Sequence, residues 1–296
     1  MTPTEIKTIL QTIGGGANKT LGQHFLVDPS ALEAILTAAD ITKDERITEI
    51  GPGLGVLTGQ LLEKGATLTA IEQDRRFLSY LEVLAKRFPQ GSLSLQHGDA
   101  ARLFWEHQDG SWKLVANLPY SITSLVLRKA LWSKNPPTKV VVLVQREVAE
   151  RVLARDGKTS LLSLMVALAS SSARIVKRIP PGAFFPPPKV DSAILEINSV
   201  PFSERLERFK VDPDLVMAVA KRGFAHPRKF LFSNLGLTPH AKTLADQIGT
   251  TDRVRSEALN LDQWCALARI LRDTGLLPEE KESHEKANRK NVNKKE

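Results

Sequence analysis

Thr48-Glu49-Ile50-Gly51-Pro52-Gly53-Leu54-Gly55-Val56-Leu57-Thr58 is the stretch on which the reading of this chain turns. The run 46–50 predicts a buried strand, 56–62 predicts the first turns of a helix, and three alternate glycines sit at the joint. Glycines so placed let the backbone adopt positive φ and come close to a ligand, and the following helix points free N–H groups at the same spot. The spacing is G-x-G-x-G, not the G-x-G-x-x-G of dinucleotide sites, and Pro52 removes an N–H that a pyrophosphate would use. A nicotinamide dinucleotide is therefore disfavoured.

Outward from the turn, 67–71 predicts a second strand ending in Glu72, about 20 residues past the glycines, where a carboxylate can accept from both hydroxyls of a ribose. A third strand, 92–96, leads into His97-Gly98-Asp99-Ala100, with Asp99 suited to the amino group of an adenine. Glu49, Glu72 and Asp99 together suit a cationic adenosine compound, of which S-adenosylmethionine is one. A glycine turn alone is weak support, and acidic residues at strand ends are often only solvated. The order and the intervals carry the reading.

Asn117-Leu118-Pro119-Tyr120 follows a fourth strand at 113–116, which puts it at the same sheet edge as the glycine turn, Glu72 and Asp99. The exocyclic amine of adenine is a poor nucleophile because its lone pair is delocalised into the ring. Two acceptors, the Asn117 side-chain oxygen and a backbone carbonyl freed by Pro119, would draw that nitrogen toward tetrahedral geometry and aim its lone pair at a sulfonium methyl. Tyr120 offers one face for the base and Phe184 a second, with stacking worth about 1–3 kcal/mol per base.

With 296 residues, 42% of them hydrophobic, the chain can fill a sizeable core. A single cysteine, Cys265, excludes an intramolecular disulfide and a Cys-rich metal site and fits a reducing, cytoplasmic setting. The longest apolar run, 161–169, is too short to span a bilayer, and the N-terminus has neither signal-peptide nor transit-peptide character. The six histidines are scattered without an H-x-x-x-H pair, so no metal site is expected. A net charge of +8 asks for a polyanion; residues 279–296 hold six Lys/Arg against five Asp/Glu, so the excess belongs to the folded part and points to nucleic acid.

In chain order, 1–13 predicts a short helix and 14–18 a flexible break. The segment 19–26 is neither clean helix nor strand, and Phe25 and Leu26 should fold it onto the body. Asp28-Pro29 supplies an N-cap and N1 pair. From 46 to 197 strands alternate with helices, including strands at 139–144, 173–179 and 193–197 and helices at 123–132, 146–155 and 160–169. That alternation predicts an α/β architecture with a parallel-type sheet covered on both faces. Five prolines within 180–188 hold Phe184 and Phe185 in a rigid loop. The catalytic domain is expected to span 1–198. A small all-helical domain, 199–278, carries Lys221, Arg222, Arg228 and Lys229 as candidate RNA contacts, and 279–296 reads as a disordered polar tail.

TLGQHFL (20–26), EIGPGLG (49–55), IEQD (71–74), GDA (98–100), NLPY (117–120), QREVAERV (145–152) and FFPPPKVDS (184–192), in this order, resemble the ribosomal RNA adenine dimethyltransferases. The resemblance is strongest to the small-subunit enzymes that dimethylate two adjacent adenines near the 3′ end of 16S rRNA. It runs from 19 to 271 and includes Gly223-Phe224, Arg228-Lys229, Asn234-Leu235 and Arg255-Ser256-Glu257-Ala258-Leu259. It implies a Rossmann-like S-adenosylmethionine-dependent methyltransferase fold, a monomer, and the small subunit or its precursor as partner.

For individual residues, the resemblance implies that His24 and Leu26 contact the cofactor, His24 standing where the family more often has Asn. Glu49, Gly51, Gly53, Glu72, Asp99, Ala100 and Asn117 complete that set. Asn117, Leu118, Pro119, Tyr120 and Phe184 are the implied catalytic group; Phe185, at a variable position, is assigned to packing, and Gln145-Arg146-Glu147 to structure. The rivals are methylation of a large-subunit rRNA adenine, for which the C-terminal motifs fit less well, and an assembly factor without turnover, which would have no need of Glu72, Asn117 and Tyr120. DNA adenine methylation is weaker still, because its motif has Pro where Leu118 stands.

Overall fold

A computed structural model of the chain describes residues 1–103, 110–154 and 157–277; the expected tail at 279–296 lies outside them. The strands are β1 (Phe25–Leu26), β2 (Arg46–Ile50), β3 (Thr67–Glu72), β4 (Ser92–His97), β5 (Lys113–Asn117), β6 (Lys139–Gln145), β7 (Ser170–Ile179), β8 (Phe184–Phe185) and β9 (Ser192–Ser199). Seven of them form one sheet in the order β4-β3-β2-β5-β6-β9-β7.

The pairs among β2 to β6 are parallel, as the alternation with helices predicts. The expectation of a parallel-type sheet needs one correction: β9 runs antiparallel to both of its neighbours, β6 and β7. A parallel return needs a crossover of a dozen or more residues, usually helical. The proline-rich link from β7 to β9 holds no α-helix, only a 3-10 turn and the short β8, so the chain turns back on itself.

Parallel crossovers bring the C-terminal ends of β2, β3, β4 and β5 to one edge. The strand order reverses at β2, which has β3 on one side and β5 on the other. A ligand crevice is expected outside the sheet at such a reversal. Val140 to Val144 on β6 are each 0% exposed, so the middle of the sheet is covered on both faces. On one face the helices Pro29–Ala39 and Val56–Glu63 pack Ile35, Leu36, Leu57 and Leu61 into a cluster with Ile47, Val115, Val141 and Ile194.

Local signals fix the helix on the N-terminal side. Asp28 Oδ1 accepts from Ser30 N–H at 2.8 Å with Pro29 at the first helical position. At the far end, Lys113 Nζ donates to the carbonyls of Ala39 (2.9 Å) and Asp40 (2.7 Å), a cation on the helix C-terminus that ties it to β5.

The segment before that helix does fold onto the body: β1 pairs antiparallel with β8, Phe25 opposite Phe185 and Leu26 opposite Phe184. The first compact unit runs to Phe209, past the expected boundary at 199. The reason is Arg205 on the helix Phe202–Phe209, which is fully buried, donates to Val200 C=O at 3.0 and 3.1 Å, and holds its guanidinium 5.3 Å from the Trp132 ring.

The second unit starts at Lys210 and its described residues contain no strand. Its longer helices are Pro213–Gly223 and Leu261–Asp273, the first capped by Asp212 with Pro213 at N1. A Cβ at Gly223 would lie 2.7 Å from the Trp264 ring and 2.8 Å from Leu231, so only glycine permits this packing. Phe224 stacks on Trp264 with centroids 5.6 Å apart.

Candidate active site

The glycine turn takes the conformation its spacing predicts: φ is +71° at Gly51, +56° at Gly53 and +72° at Gly55, the region that glycine alone enters without strain. A Cβ at Gly53 would stand 3.2 Å from the Phe25 ring, and one at Gly55 3.0 Å from Leu81. The turn is thus a cradle of bare backbone. Gly51 N–H donates to Ile71 C=O and Gly98 N–H to Glu72 C=O, each at 2.9 Å, which fixes the ends of β2, β3 and β4 against one another.

Glu72 faces this cradle with both oxygens oriented by backbone donors, Oε2 by Gly53 N–H at 2.9 Å and Oε1 by Asp74 N–H at 2.8 Å. Each oxygen keeps a further lone pair for a ligand hydroxyl. The side chain is 5% exposed, and burial pushes its pKa up despite those bonds.

Glu49 sits deeper, 1% exposed, with Oε2 accepting from Thr58 Oγ1 at 2.7 Å. Burial, reinforced by the nearby Glu72, pushes its carboxyl up to about 8. Near neutral pH Glu49 is therefore largely protonated. Asp99 Oδ1 accepts from Ala101 N–H at 2.9 Å and closes the turn after β4.

The N-terminal arm closes over the edge of the cleft through polar bonds. Gln23 Nε2 donates to Asp74 Oδ2 at 2.8 Å, and Asp74 is held down at about 2 by the Arg76 guanidinium first and this amide next. Asn117 Nδ2 donates to His24 C=O at 3.1 Å, which leaves Oδ1 as the free acceptor of that amide. His24 Nδ1 lies 2.7 Å from Pro186 C=O; a carbonyl only accepts, so Nδ1 carries a proton. The His24 ring lies 22° from parallel to that of Tyr120, centroids 6.0 Å apart. The Tyr120 hydroxyl meets Ser192 Oγ at 2.6 Å, and burial raises the phenol.

His24, Leu26, Glu49, Gly51, Gly53, Glu72, Asp99, Ala100, Asn117, Leu118, Pro119 and Tyr120 all line one cleft. Phe184 is not among the residues that line it. It is 3% exposed in the core cluster with Leu26, its partner across the β1–β8 pair. Lys221 and Arg222 occupy the last turn of Pro213–Gly223 in the second unit, and Arg228 and Lys229 stand exposed in the following loop.

Sequence reasoning missed Thr58, Gln23 and Ser192 as partners of Glu49, Asp74 and Tyr120. Gln23, within TLGQHFL, and Ser192, at the end of FFPPPKVDS, carried a signal in those motifs. Among the described residues no group of His, Cys, Asp or Glu is arranged to hold a metal, and no helix is long and apolar enough to cross a membrane.

The family model for "Ribosomal RNA adenine dimethylase" matches residues 15–273. The chain belongs to the ribosomal RNA adenine dimethylase family. Its activity is accordingly S-adenosylmethionine-dependent methyl transfer to adenine in ribosomal RNA. It is 38% identical over 257 residues to a "Ribosomal RNA small subunit methyltransferase A" of Dehalococcoides mccartyi (strain CBDB1), covering 84% of this chain and 86% of that one. A protein of the same description from Lactiplantibacillus plantarum is 34% identical over 289 residues, 93% and 97% of the two chains. A dimethyladenosine transferase from Plasmodium falciparum superposes with a TM-score of 0.70 at 25% identity, covering 85% of this chain and 98% of its own.

Proposed function

We infer that this dimethylase transfers methyl groups to the N6 amines of two adjacent adenines near the 3′ end of 16S rRNA, in the small ribosomal subunit or its precursor in the cytoplasm. S-adenosylmethionine supplies an electrophilic methyl group when bound. The cleft fits that cofactor: the glycine cradle admits a ligand against bare backbone, and Glu72 keeps lone pairs for ribose hydroxyls. In this reading Asp99 and Ala100 take the adenine of the cofactor, and His24 and Leu26, which line the same cleft, contact it as well.

The observation that carries the reading is the bond from Asn117 Nδ2 to His24 C=O. It orients the amide so that Oδ1 can accept from the N6–H of a substrate adenine, and the Leu118 carbonyl ahead of Pro119 supplies the second acceptor. Together they concentrate electron density on a nitrogen that is otherwise a poor nucleophile. Tyr120, held at its hydroxyl by Ser192, presents a face to the base. Lys221, Arg222, Arg228 and Lys229 contribute phosphate contacts from the second unit, and one copy of the chain suffices.

The test is to incubate the protein with labelled S-adenosylmethionine and under-methylated small subunits, large subunits or naked rRNA, then map the labelled base. Label in two neighbouring adenines of small-subunit rRNA is expected, and Asn117→Ala should suppress both the first and the second transfer. Label in large-subunit rRNA alone would replace this reading with its nearest rival.

A further inference from the structure

The β1–β8 ribbon has a second concave surface beside it. Phe25 and Leu26 belong to the lining of the cleft, whereas Phe185 and Pro186 line a separate groove completed by Lys7 and Leu10 of the helix Pro3–Thr12 and by Gly15 and Gly16. The two are adjacent: His24, in the cleft, is joined at 2.7 Å to the carbonyl of Pro186, in the groove. Phe25 and Phe185 are direct partners across the ribbon.

The groove's chemistry suits a nucleotide. Phe185 is half-buried, and the exposed Lys7 places its ammonium 5.3 Å from the centre of that ring. The residues lining the groove include this cation and no carboxylate. Arg76 donates to Gly16 C=O at 3.2 Å and holds the glycine run in place from behind. An exposed lysine over a ring is a weak interaction that a flat base can replace, with the ammonium moving to a phosphate.

We propose that this groove binds the nucleobase next to the adenine held in the cleft, stacked on Phe185 with the adjoining phosphate at Lys7. The inference rests on the substrate reading above: when two neighbouring adenines are both modified, each in turn is flanked by the other. A base drawn out of its stack parts from its neighbour by more than a stacked step of about 3.4 Å. The two-stranded ribbon lies between the cleft and the groove, so a base on each side would straddle it.

The test uses the full chain with small subunits reconstituted around 16S rRNA whose ligated 3′ segment carries either adenine or an abasic nucleotide beside the target. Phe185→Leu keeps apolar packing against Phe25 and removes the aromatic face. It should raise KM for the adenine-bearing subunit about fivefold or more, the lower end for loss of one stacked base, with cofactor affinity unchanged by calorimetry. With the abasic neighbour the parent's KM should rise to that of the variant, and the variant should lose nothing further. Lys7→Ala, at an exposed position, should lower the slope of log affinity against log salt by about one. Equal losses for Phe185→Leu on both substrates, or none on the adenine-bearing one, would overturn the groove while leaving the methylation reading intact. A parent protein that methylates no small-subunit adenine would overturn both.

Discussion

Glu49 offers a quantitative prediction because its carboxyl is buried beside a hydroxyl and needs no charge to keep that bond. Replacing it by Gln leaves a carbonyl oxygen for Thr58 and abolishes ionisation. In the parent, the folded chain holds a proton on Glu49 up to about pH 8, whereas the unfolded chain releases it near the ordinary 4.5. Between those values the folded state binds more protons, so stability falls as pH rises. The contribution is fully present below about 4.5 and lost as pH passes through about 8. Integrated from pH 6 to pH 8, one such group removes on the order of 2 kcal/mol, against a limiting slope of about 1.4 kcal/mol per pH unit. For a unit of this size that is roughly 4–8 °C in Tm. Thermal unfolding of the parent and of Glu49→Gln, followed across this range without cofactor, reads the difference. The parent should lose those degrees relative to the variant as pH rises. Two curves that stay parallel from pH 6 to pH 8 would show that Glu49 is ionised throughout and refute the reasoning.

Glu72→Gln retains one carbonyl oxygen where Gly53 N–H and Asp74 N–H need two acceptors, and it weakens the ribose interaction. Calorimetry should show cofactor affinity lower by about ten- to a hundredfold, from roughly 1.5–3 kcal/mol, with RNA affinity unchanged. Phe184→Ala should act as a core truncation, costing about 3–5 kcal/mol in denaturant unfolding; a variant as stable as the parent would return that ring to the cleft. Tyr120→Phe and Ser192→Ala each remove one end of a 2.6 Å bond, so each should lower kcat/KM by roughly two- to tenfold and the double variant by no more than either; additive losses would mean that Ser192 does not act through Tyr120. Neutralising two of Lys221, Arg222, Arg228 and Lys229 should flatten the salt dependence of subunit binding by about one for each phosphate no longer held, and an unchanged slope would make them a solvated face.

The cleft was legible in the sequence because its parts come at strand ends, and each strand is marked by apolar residues bounded by turn residues. Gly51, Glu72, Asp99 and Asn117 needed only the parallel order to meet. Strand direction was not legible: the apolar pattern of Ser192–Ser199 says which faces are buried and nothing about which way the chain runs. The two phenylalanines are ambiguous for a related reason. Phe184 and Phe185 lie on opposite sides of a two-residue strand whose partner is far away in sequence, and composition cannot say which one faces the core. The helix Phe202–Phe209 falls beyond a boundary drawn at 199 because its buried anchor, Arg205, looks like a surface residue until its guanidinium is seen against Trp132. The protonation of Glu49 depends on burial, which no local pattern reports.

The pairing of Phe25 with Phe185 also sets a timetable. The partners are separated by 185 − 25 = 160 positions, so during synthesis at about 5–20 residues per second the N-terminal segment waits roughly 8–30 s before its partner strand has been made. Within that interval β2, β3 and β5 are translated and can form, while the arm bearing Gln23, His24 and Leu26 lacks its partner strand and has only the bonds from Gln23 to Asp74 and from Asn117 to His24 to hold it. A nascent chain arrested before Phe184 would hold Glu72, Asp99 and Asn117 and still lack the strand that pairs with the arm. Limited proteolysis of such arrested chains should therefore cut within the first 26 residues long after β2, β3 and β5 have become resistant.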